Sequence, residues 1–206
     1  MSTTSRRLFL AAAATLGALA LAGCSKGGST SADTSDMTLG DPNAKVKFVE
    51  YASVTCSHCA AFNNDVFPEF KKKYIDTGKV HYTFKEFLTP PAEVAAAGFL
   101  TARCAGKDKY FGVVDSIFHS QQEMFTTGDM RGVLLRVAQS AGMTEEQFNA
   151  CVSNEDALKA LNSRVEKAVQ QDKINATPTF IINGKKFKEG EVTLAELDAA
   201  VAEASK

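Results

Sequence analysis

Two cysteines separated by two residues, Cys56 and Cys59, are the side chains of this sequence best suited to chemistry. A Cys-x-x-Cys pair can cycle between a dithiol and a disulfide. It can also supply half of a zinc site, but zinc needs two further ligands, and Cys104 and Cys151 each stand alone in the sequence. A purely structural bridge would close a loop too short to add much constraint. We therefore predict a redox centre with no metal and no cofactor.

The pair is expected at the start of a helix. Residues 46–51, V-K-F-V-E-Y, predict a strand, and helical periodicity follows Cys56. A helix N-terminus presents free N–H groups and the positive end of the helix dipole, which stabilise a thiolate at Cys56. The imidazole of His58 would stabilise it further when protonated or donating, unless His58 is an incidental surface residue. A dithiol stabilised in this way prefers to stay reduced, so its disulfide is an oxidant.

The elements around the pair follow from periodicity. Apolar and aromatic side chains recur every four positions from Phe62 to Tyr74 and predict a helix ending near residue 77, which Pro68 should kink. Residues 79–87 then alternate as a strand does. This second strand is parallel to the first if the helix between them is a crossover.

The rest of the chain changes character twice. Residues 92–172 show helical spacing and no strand pattern, which predicts an insertion of four or five helices. Residues 179–182 return to strand, Asn183-Gly184 form a two-residue hairpin turn, and residues 185–188 form the next strand before a last helix. The predicted order is β-α-β, helical insertion, β-β-α, which is an α/β (α+β) fold class.

The composition is that of a globular protein. The chain has 206 residues, with 23 basic and 24 acidic side chains and 45% hydrophobic residues. These proportions exclude a collagen-like, a low-complexity and a polytopic membrane protein. A net charge of −1 also argues against a dedicated nucleic-acid binder.

Residues 1–23 have the pattern of a signal peptide. The pair Arg6-Arg7 precedes an apolar run, and together they resemble a twin-arginine export signal. The segment Leu21-Ala22-Gly23-Cys24 resembles a bacterial lipobox, which implies lipid on Cys24; an ordinary cleaved signal with an incidental cysteine is the alternative. Residues 24–36 are rich in Ser, Gly and Thr and predict a flexible tether. The expectation is a bacterial lipoprotein, periplasmic or otherwise extracytoplasmic, anchored to a membrane.

Two segments far apart in the chain carry a family resemblance. The segment E-Y-A-S-V-T-C-S-H-C, ending at Cys59, and the segment T-P-T-F-I-I-N-G, beginning at Thr177, resemble the DsbA-like thiol:disulfide oxidoreductases of DsbA or BdbD type, here in a lipoprotein form. The resemblance covers residues 38–204. It implies a thioredoxin fold with a helical domain inserted between the β-α-β and β-β-α halves. The expected boundaries are 37–91 and 173–206 for the thioredoxin-fold domain and 92–172 for the helical domain.

The resemblance also implies roles for three further residues. Pro178 would be a cis-proline beside the active site, rather than a plain turn proline, and the backbone of Thr177 would pair with a substrate strand. Glu50 matches an acidic residue beneath the active site, where a buried carboxyl exchanges protons with the buried thiol of Cys59. The alternative is a glutamate that reaches water at the strand end. Family members usually have glycine where Ala176 stands.

Two cysteines remain once Cys24 and the Cys-x-x-Cys pair are assigned. Cys104 and Cys151 both fall in the predicted helical insertion. A disulfide between them would close a long loop and stabilise the fold by roughly 4 kcal/mol on the chain-entropy model. We predict a structural disulfide, and a bridge that tunes the active site is the alternative.

The resemblance implies an oxidising enzyme with protein partners. The expected substrates are reduced exported proteins, and the expected reoxidising partner is a quinone-linked membrane protein of the DsbB or VKOR type. We expect a monomer that binds no nucleic acid. One alternative is a thiol reductase or isomerase, although such isomerases usually need a dimerisation region that residues 24–36 are too short to supply. Another is a non-catalytic chaperone that binds extended chains near Pro178.

Overall fold

The computed structural model of the chain describes Met1 and residues 35–206. The predicted signal peptide (except Met1), Cys24 and nearly all of the predicted tether lie outside the described residues. Among the helices of residues 35–206, none is long and apolar enough to cross a membrane.

A mixed sheet forms the centre of the described part of the chain. Its strands are β1 Met37–Leu39, β2 Val46–Ala52, β3 Val80–Glu86, β4 Thr179–Ile182 and β5 Lys185–Glu189. The strand order is β1-β3-β2-β4-β5. β2 and β3 run parallel, with Phe48 opposite Tyr82 and Glu50 opposite Phe84, while the other neighbouring strands pair antiparallel. The parallel pair confirms the predicted crossover.

The helical segment after β2 is irregular. Helices α1 (Ser57–Ala61) and α2 (Phe67–Phe70) are each followed by a π-helical turn, over Phe62–Val66 and Lys71–Ile75. Pro68 lies at the start of α2. Because proline has no N–H to donate to the preceding turn, regular α-helical bonding is interrupted there. The predicted single kinked helix is therefore a helix in four pieces.

Five helices lie between β3 and β4 in the chain, and one follows β5. They are α3 Ala92–Cys104, α4 Lys107–Thr127, α5 Met130–Ser140, α6 Glu145–Val152 and α7 Glu155–Gln170, then α8 Leu194–Ala204. This order confirms the predicted α/β (α+β) class, with a helical domain inserted between the two halves. The exact domain boundaries stay predictions.

The strand β1 was not predicted. It pairs antiparallel with β3 and places Met37 opposite Phe84. With three residues, of which Met37 alone is buried, it is too short to show an alternating pattern in the sequence. Its effect is to cover the outer edge of β3.

The Cys-x-x-Cys pair rests on an aromatic core. Phe48 of β2 packs on Phe70 with 4.9 Å between ring centroids, and Tyr82 of β3 packs on Phe67 at the same distance. Cys59 is wholly buried in the same cluster. Because interiors are close-packed, these rings give the start of α1 a rigid base.

A buried ion cluster joins the sheet to the helices. The Glu86 carboxylate accepts hydrogen bonds from Arg103 Nε at 2.6 Å, from an Arg164 terminal nitrogen at 2.7 Å and from the Tyr110 hydroxyl at 3.0 Å. A buried carboxylate is tolerated only when it is paired in this way. The cluster thereby ties β3 to α3, α4 and α7.

Candidate active site

The loop between β2 and α1 is held by buried hydrogen bonds on one side. Thr55 Oγ1 lies 2.9 Å from the carbonyl oxygen of Thr89, and the Thr89 N–H donates to Ser53 Oγ at 3.2 Å. The Cys56 N–H donates to the Ser53 carbonyl at 3.0 Å. These bonds fix the backbone of Cys56, which is the N-cap residue of α1.

Helices of the insertion hold the same loop from the other side. Gln121 of α4 is buried, and its Nε2 donates to the carbonyl oxygens of Val54 at 2.9 Å and Cys56 at 3.1 Å. Gly98 of α3 packs against Val54 so closely that a Cβ there would come within 2.8 Å of Val54 Cγ2. The position of Cys56 is therefore set both by the thioredoxin-fold part of the chain and by the inserted helices.

Cys56 is half-buried and, like Cys59, is a free thiol in this structure. Its pKa is lowered from 9.0 to about 5. The largest cause is a hydrogen bond from the Cys59 side chain, and further bonds from the Thr177 side chain and from the backbone N–H groups of Cys59 and His58 act in the same direction, against partial burial. Cys56 is therefore a thiolate at neutral pH.

Cys59 and Glu50 are buried and remain neutral beside that thiolate. Burial, followed by the hydrogen bond and charge of Cys56, raises the pKa of Cys59 well above 9.0. Burial likewise raises the pKa of Glu50 from 4.5 to about 8, while a hydrogen bond from the Tyr82 hydroxyl to Glu50 Oε2, 2.6 Å long, lowers it. The predicted burial of Glu50 is observed, since only 2% of the residue is exposed.

The segment before β4 brings Thr177 and Pro178 to Cys56. The Thr177–Pro178 peptide bond is cis, as is Pro90–Pro91, which the sequence analysis did not single out. When Cys56 is protonated, its thiol donates to the Thr177 carbonyl oxygen, and the two atoms lie 3.3 Å apart. Within residues 35–206, Thr177 Oγ1 is the one fully buried side-chain polar atom without a hydrogen-bond partner. That hydroxyl is therefore available to donate to the Cys56 thiolate.

The His58 imidazole points to solvent. Its Nε2 lies 3.7 Å from a Glu191 carboxylate oxygen, and the two side chains are 59% and 78% exposed. The contribution of His58 to the low Cys56 pKa comes from its backbone N–H. A stabilising role for the imidazole stays a prediction.

Cys104 and Cys151 form a disulfide that joins α3 to α6. The two residues are 47 positions apart in the chain, and Cys151 is buried. Neither sulfur is among the groups that shift the pKa of Cys56 or Cys59.

Two residues of the site were missed by the sequence analysis. Tyr82 lies on the core face of β3 with Val80 and Phe84, but its contact with Glu50 depends on the strand register. Gln121 is polar on a helix face that is otherwise apolar, which was the one available signal for it. That pattern marks a buried polar residue and does not identify its partner.

The fold and the site together define a class of protein. It has a thioredoxin-type sheet, a Cys-x-x-Cys pair opening the first helix, and a cis-proline next to the first cysteine. The chain belongs to the thioredoxin family, because the family model described as Thioredoxin matches residues 32–203. Within that family, its relatives include proteins named as protein-disulfide oxidoreductases and its structural neighbours include DsbA proteins.

Three comparisons illustrate the similarity. A Rickettsia bellii protein named "Putative protein-disulfide oxidoreductase" is 32% identical over 174 residues, which are 83% of this chain and 66% of that protein. "Disulfide bond formation protein D" of Bacillus subtilis is 29% identical over 155 residues, 73% of this chain and 68% of that protein. The crystal structure of Wolbachia pipientis alpha-DsbA1 superposes with a TM-score of 0.73 at 28% identity, covering 82% of this chain and 90% of that chain. This chain spans slightly less than two thirds of the Rickettsia protein.

Proposed function

We propose that this chain donates disulfide bonds to exported proteins through Cys56 and Cys59. The observation that carries the proposal is that the pKa values of the two thiols are shifted in opposite directions. The pKa of Cys56 is lowered to about 5, whereas the pKa of Cys59 is raised well above 9.0. A stable Cys56 thiolate lowers the free energy of the reduced protein, so the oxidised protein readily passes its disulfide on.

The proposed reaction consists of two successive thiol–disulfide exchanges. A substrate thiolate attacks Cys56 Sγ, the Cys56–Cys59 bond breaks, and Cys59 receives the electron pair and then a proton from Glu50. The second substrate thiolate attacks the substrate sulfur of the mixed disulfide and releases Cys56 as a thiolate. The substrate loses two electrons and two protons. The protein keeps both electrons. One of the two protons returns through water to the Glu50 carboxylate, and the other stays in water.

Thr177 and Pro178 are the proposed substrate-binding residues. The Thr177 carbonyl oxygen lies 3.3 Å from Cys56 Sγ, so backbone at this position lies within reach of a segment joined to that sulfur. An extended substrate could add its own backbone hydrogen bonds there, as strands do at a sheet edge. The half-buried Cys56 supports this, because its sulfur is accessible while Cys59 is not.

Turnover then needs an acceptor for two electrons. We assign that role to a quinone-linked membrane partner of the DsbB or VKOR type, and we place the chain outside the cytoplasm, held at the membrane by lipid on Cys24. Radiolabelled palmitate should be incorporated into the protein made in bacteria and should be lost with Cys24→Ser. Label that survives the substitution would contradict the anchor.

Thiol exchange with a reduced two-cysteine peptide tests the function. The full chain carrying Cys24→Ser, oxidised beforehand, should oxidise the peptide. Adding Cys56→Ser should abolish this oxidation. With Cys59→Ser and Cys56 first joined to glutathione in a mixed disulfide, a one-cysteine peptide should displace glutathione and form a stable peptide–Cys56 mixed disulfide, visible by mass spectrometry. Full oxidation by the Cys56→Ser protein would refute the mechanism. Unchanged protection of client proteins when both cysteines are replaced would favour the chaperone alternative.

A further inference from the structure

The Glu50 carboxyl is held on one side by a single buried phenol. The Tyr82 hydroxyl donates to Glu50 Oε2 at 2.6 Å, and both residues are 2% exposed. The two side chains lie on the same face of neighbouring parallel strands, because Tyr82 is opposite Phe48, two residues before Glu50. The Tyr82 ring is packed between Phe67, at 4.9 Å, and Phe111, at 6.1 Å between ring centroids. The packed ring therefore holds the Tyr82 hydroxyl in a fixed position against the Glu50 carboxyl.

We propose that Tyr82 is a positioning residue that occupies Glu50 Oε2 and so directs proton exchange between Glu50 and Cys59 to the other oxygen, Oε1. The inference rests on the proposed function, in which Cys59 takes up a proton when substrate is oxidised. Oε2 can accept from Tyr82 whether Oε1 carries the proton or not. The carboxyl then keeps one orientation through the reaction, and Cys59 always meets the same oxygen.

The proton moves without a change in the tyrosine. When the Cys56–Cys59 bond breaks, its electron pair goes to Cys59 Sγ, the O–H bond at Glu50 Oε1 breaks, and that proton forms the S–H bond. Tyr82 keeps its own proton, because burial and the Glu50 charge raise its pKa well above 10.0. The reverse transfer, from Cys59 to the Glu50 carboxylate, frees the Cys59 thiolate to attack a mixed disulfide at Cys56.

Few other titratable groups face this pair. Cys56 and Cys59 reach it from the start of α1, and Tyr110 reaches Tyr82 from α4. Tyr110 is also wholly buried and stays neutral, since burial and Glu86 raise its pKa well above 10.0. Its hydroxyl donates to Glu86 in the same way that Tyr82 donates to Glu50. Tyr110 therefore offers a matched control, a buried tyrosine–glutamate pair outside the cysteine site.

The test follows the attack of Cys59 on a mixed disulfide between Cys56 and glutathione as a function of pH, in the full chain carrying Cys24→Ser. The rate should rise through an inflection set by Glu50. This inflection should lie below about pH 8, because Cys56 carries no charge in the mixed disulfide. Tyr82→Phe keeps the ring and removes the donor. It should move the inflection up by about one to two pH units and slow the reaction about tenfold or more below it.

The controls separate positioning from folding. Tyr110→Phe should leave the inflection in place, and Glu50→Gln should remove it with or without Tyr82→Phe. If Tyr82→Phe does not fold, 3-fluorotyrosine at position 82, a stronger donor, should move the inflection down. An inflection that stays in place with Tyr82→Phe or with the fluorinated residue, or that moves equally with Tyr110→Phe, would overturn the inference. Failure of the peptide oxidation assay would instead refute the proposed function, because the glutathione reaction does not depend on it.

Discussion

Cys56 and Cys59 have the same side chain and opposite protonation states because their surroundings differ. Four donors stabilise the thiolate form of Cys56 and so lower its pKa: the Cys59 thiol, the Thr177 hydroxyl and two backbone N–H groups. Cys59 is fully buried beside the Cys56 thiolate and the Glu50 carboxyl, and both burial and charge hold its proton in place. The spacing in the sequence predicted the redox pair and the helix N-terminus. It could not predict the contribution of Thr177, which lies 121 residues from Cys56 in the chain.

Thr177→Val should raise the pKa of Cys56. The valine has nearly the same shape and lacks the hydroxyl that would donate to the thiolate. We expect the Cys56 pKa to rise from about 5 by about one pH unit. The ultraviolet absorbance of the thiolate, recorded as a function of pH, measures this change. Thr101→Val is the matched control, because that hydroxyl bonds only within α3, to the Ala97 carbonyl oxygen. An unchanged Cys56 pKa in the Thr177 variant would show that the Thr177 hydroxyl does not stabilise the thiolate.

At the scale of elements, α4 supports the active-site loop from the helical insertion. Gln121 uses its side-chain NH₂ group to bond the carbonyl oxygens of Val54 and Cys56. Those carbonyls lie at the N-terminus of α1, where buried backbone groups need hydrogen-bond partners. The inserted helices thus supply part of the site's geometry, although the two cysteines belong to the thioredoxin fold.

Gln121→Leu should weaken the fold at this contact. Leucine is of similar size. It leaves the Val54 carbonyl oxygen without its donor and the Cys56 carbonyl oxygen with only the Ala60 N–H, so we expect the free energy of unfolding to fall by about 1–3 kcal/mol. Urea denaturation of the oxidised protein measures the change. Gln170→Leu is the control, because the Gln170 side chain is exposed and bonds Glu166 on the same helix. Equal stability of the two variants would show that Gln121 does not support the loop.

The disulfide between α3 and α6 should act on stability and not on the reaction. Replacing both cysteines, Cys104→Ala with Cys151→Ala, opens a loop between positions 47 residues apart. The chain-entropy model gives a loss of about 4 kcal/mol in the free energy of unfolding. Urea denaturation measures this loss, and a glutathione titration should find the potential of the Cys56–Cys59 couple unchanged. A shifted potential would favour the alternative in which this disulfide tunes the active site.

The predictability of the elements depended on their length and regularity. Asn183-Gly184 identified the hairpin between β4 and β5, since both residues have positive φ, as such turns require. The periodicity from Phe62 to Tyr74 identified the first helical segment. The two π-helical turns within it leave the apolar pattern nearly unchanged and so were not visible. The register between β2 and β3, which brings Tyr82 to Glu50, is a property of the folded sheet.

At the scale of the whole molecule, the site couples redox state to the pH dependence of stability. In the reduced protein the pKa of Cys56 is about 5 against an ordinary 9.0, so stability from this group is gained as pH rises between those values. Glu50 has the opposite sign. Its pKa is about 8 against an ordinary 4.5, so its contribution is present at low pH and is lost as pH rises through about 8.

In the oxidised protein Cys56 is not a thiolate and does not offset Glu50. We therefore expect its free energy of unfolding to fall between pH 5 and pH 8, while that of the reduced protein stays nearly constant. The gap between the two should change by less than about 1.4 kcal/mol per pH unit, because water partly screens the half-buried Cys56. Urea denaturation of both forms across this range measures the gap. A gap that does not vary with pH would contradict the assigned protonation states.

The reduction potential of the Cys56–Cys59 couple tests the central claim most directly. The full chain carrying Cys24→Ser would be equilibrated in glutathione buffers of graded potential, and the fraction of Cys56–Cys59 disulfide measured after acid quenching and thiol labelling. A disulfide donor with a Cys56 pKa of about 5 should have an oxidising potential, between about −120 mV and about −180 mV. A potential near the thioredoxin value, about −270 mV, would make the protein a reductant and would contradict the proposed function.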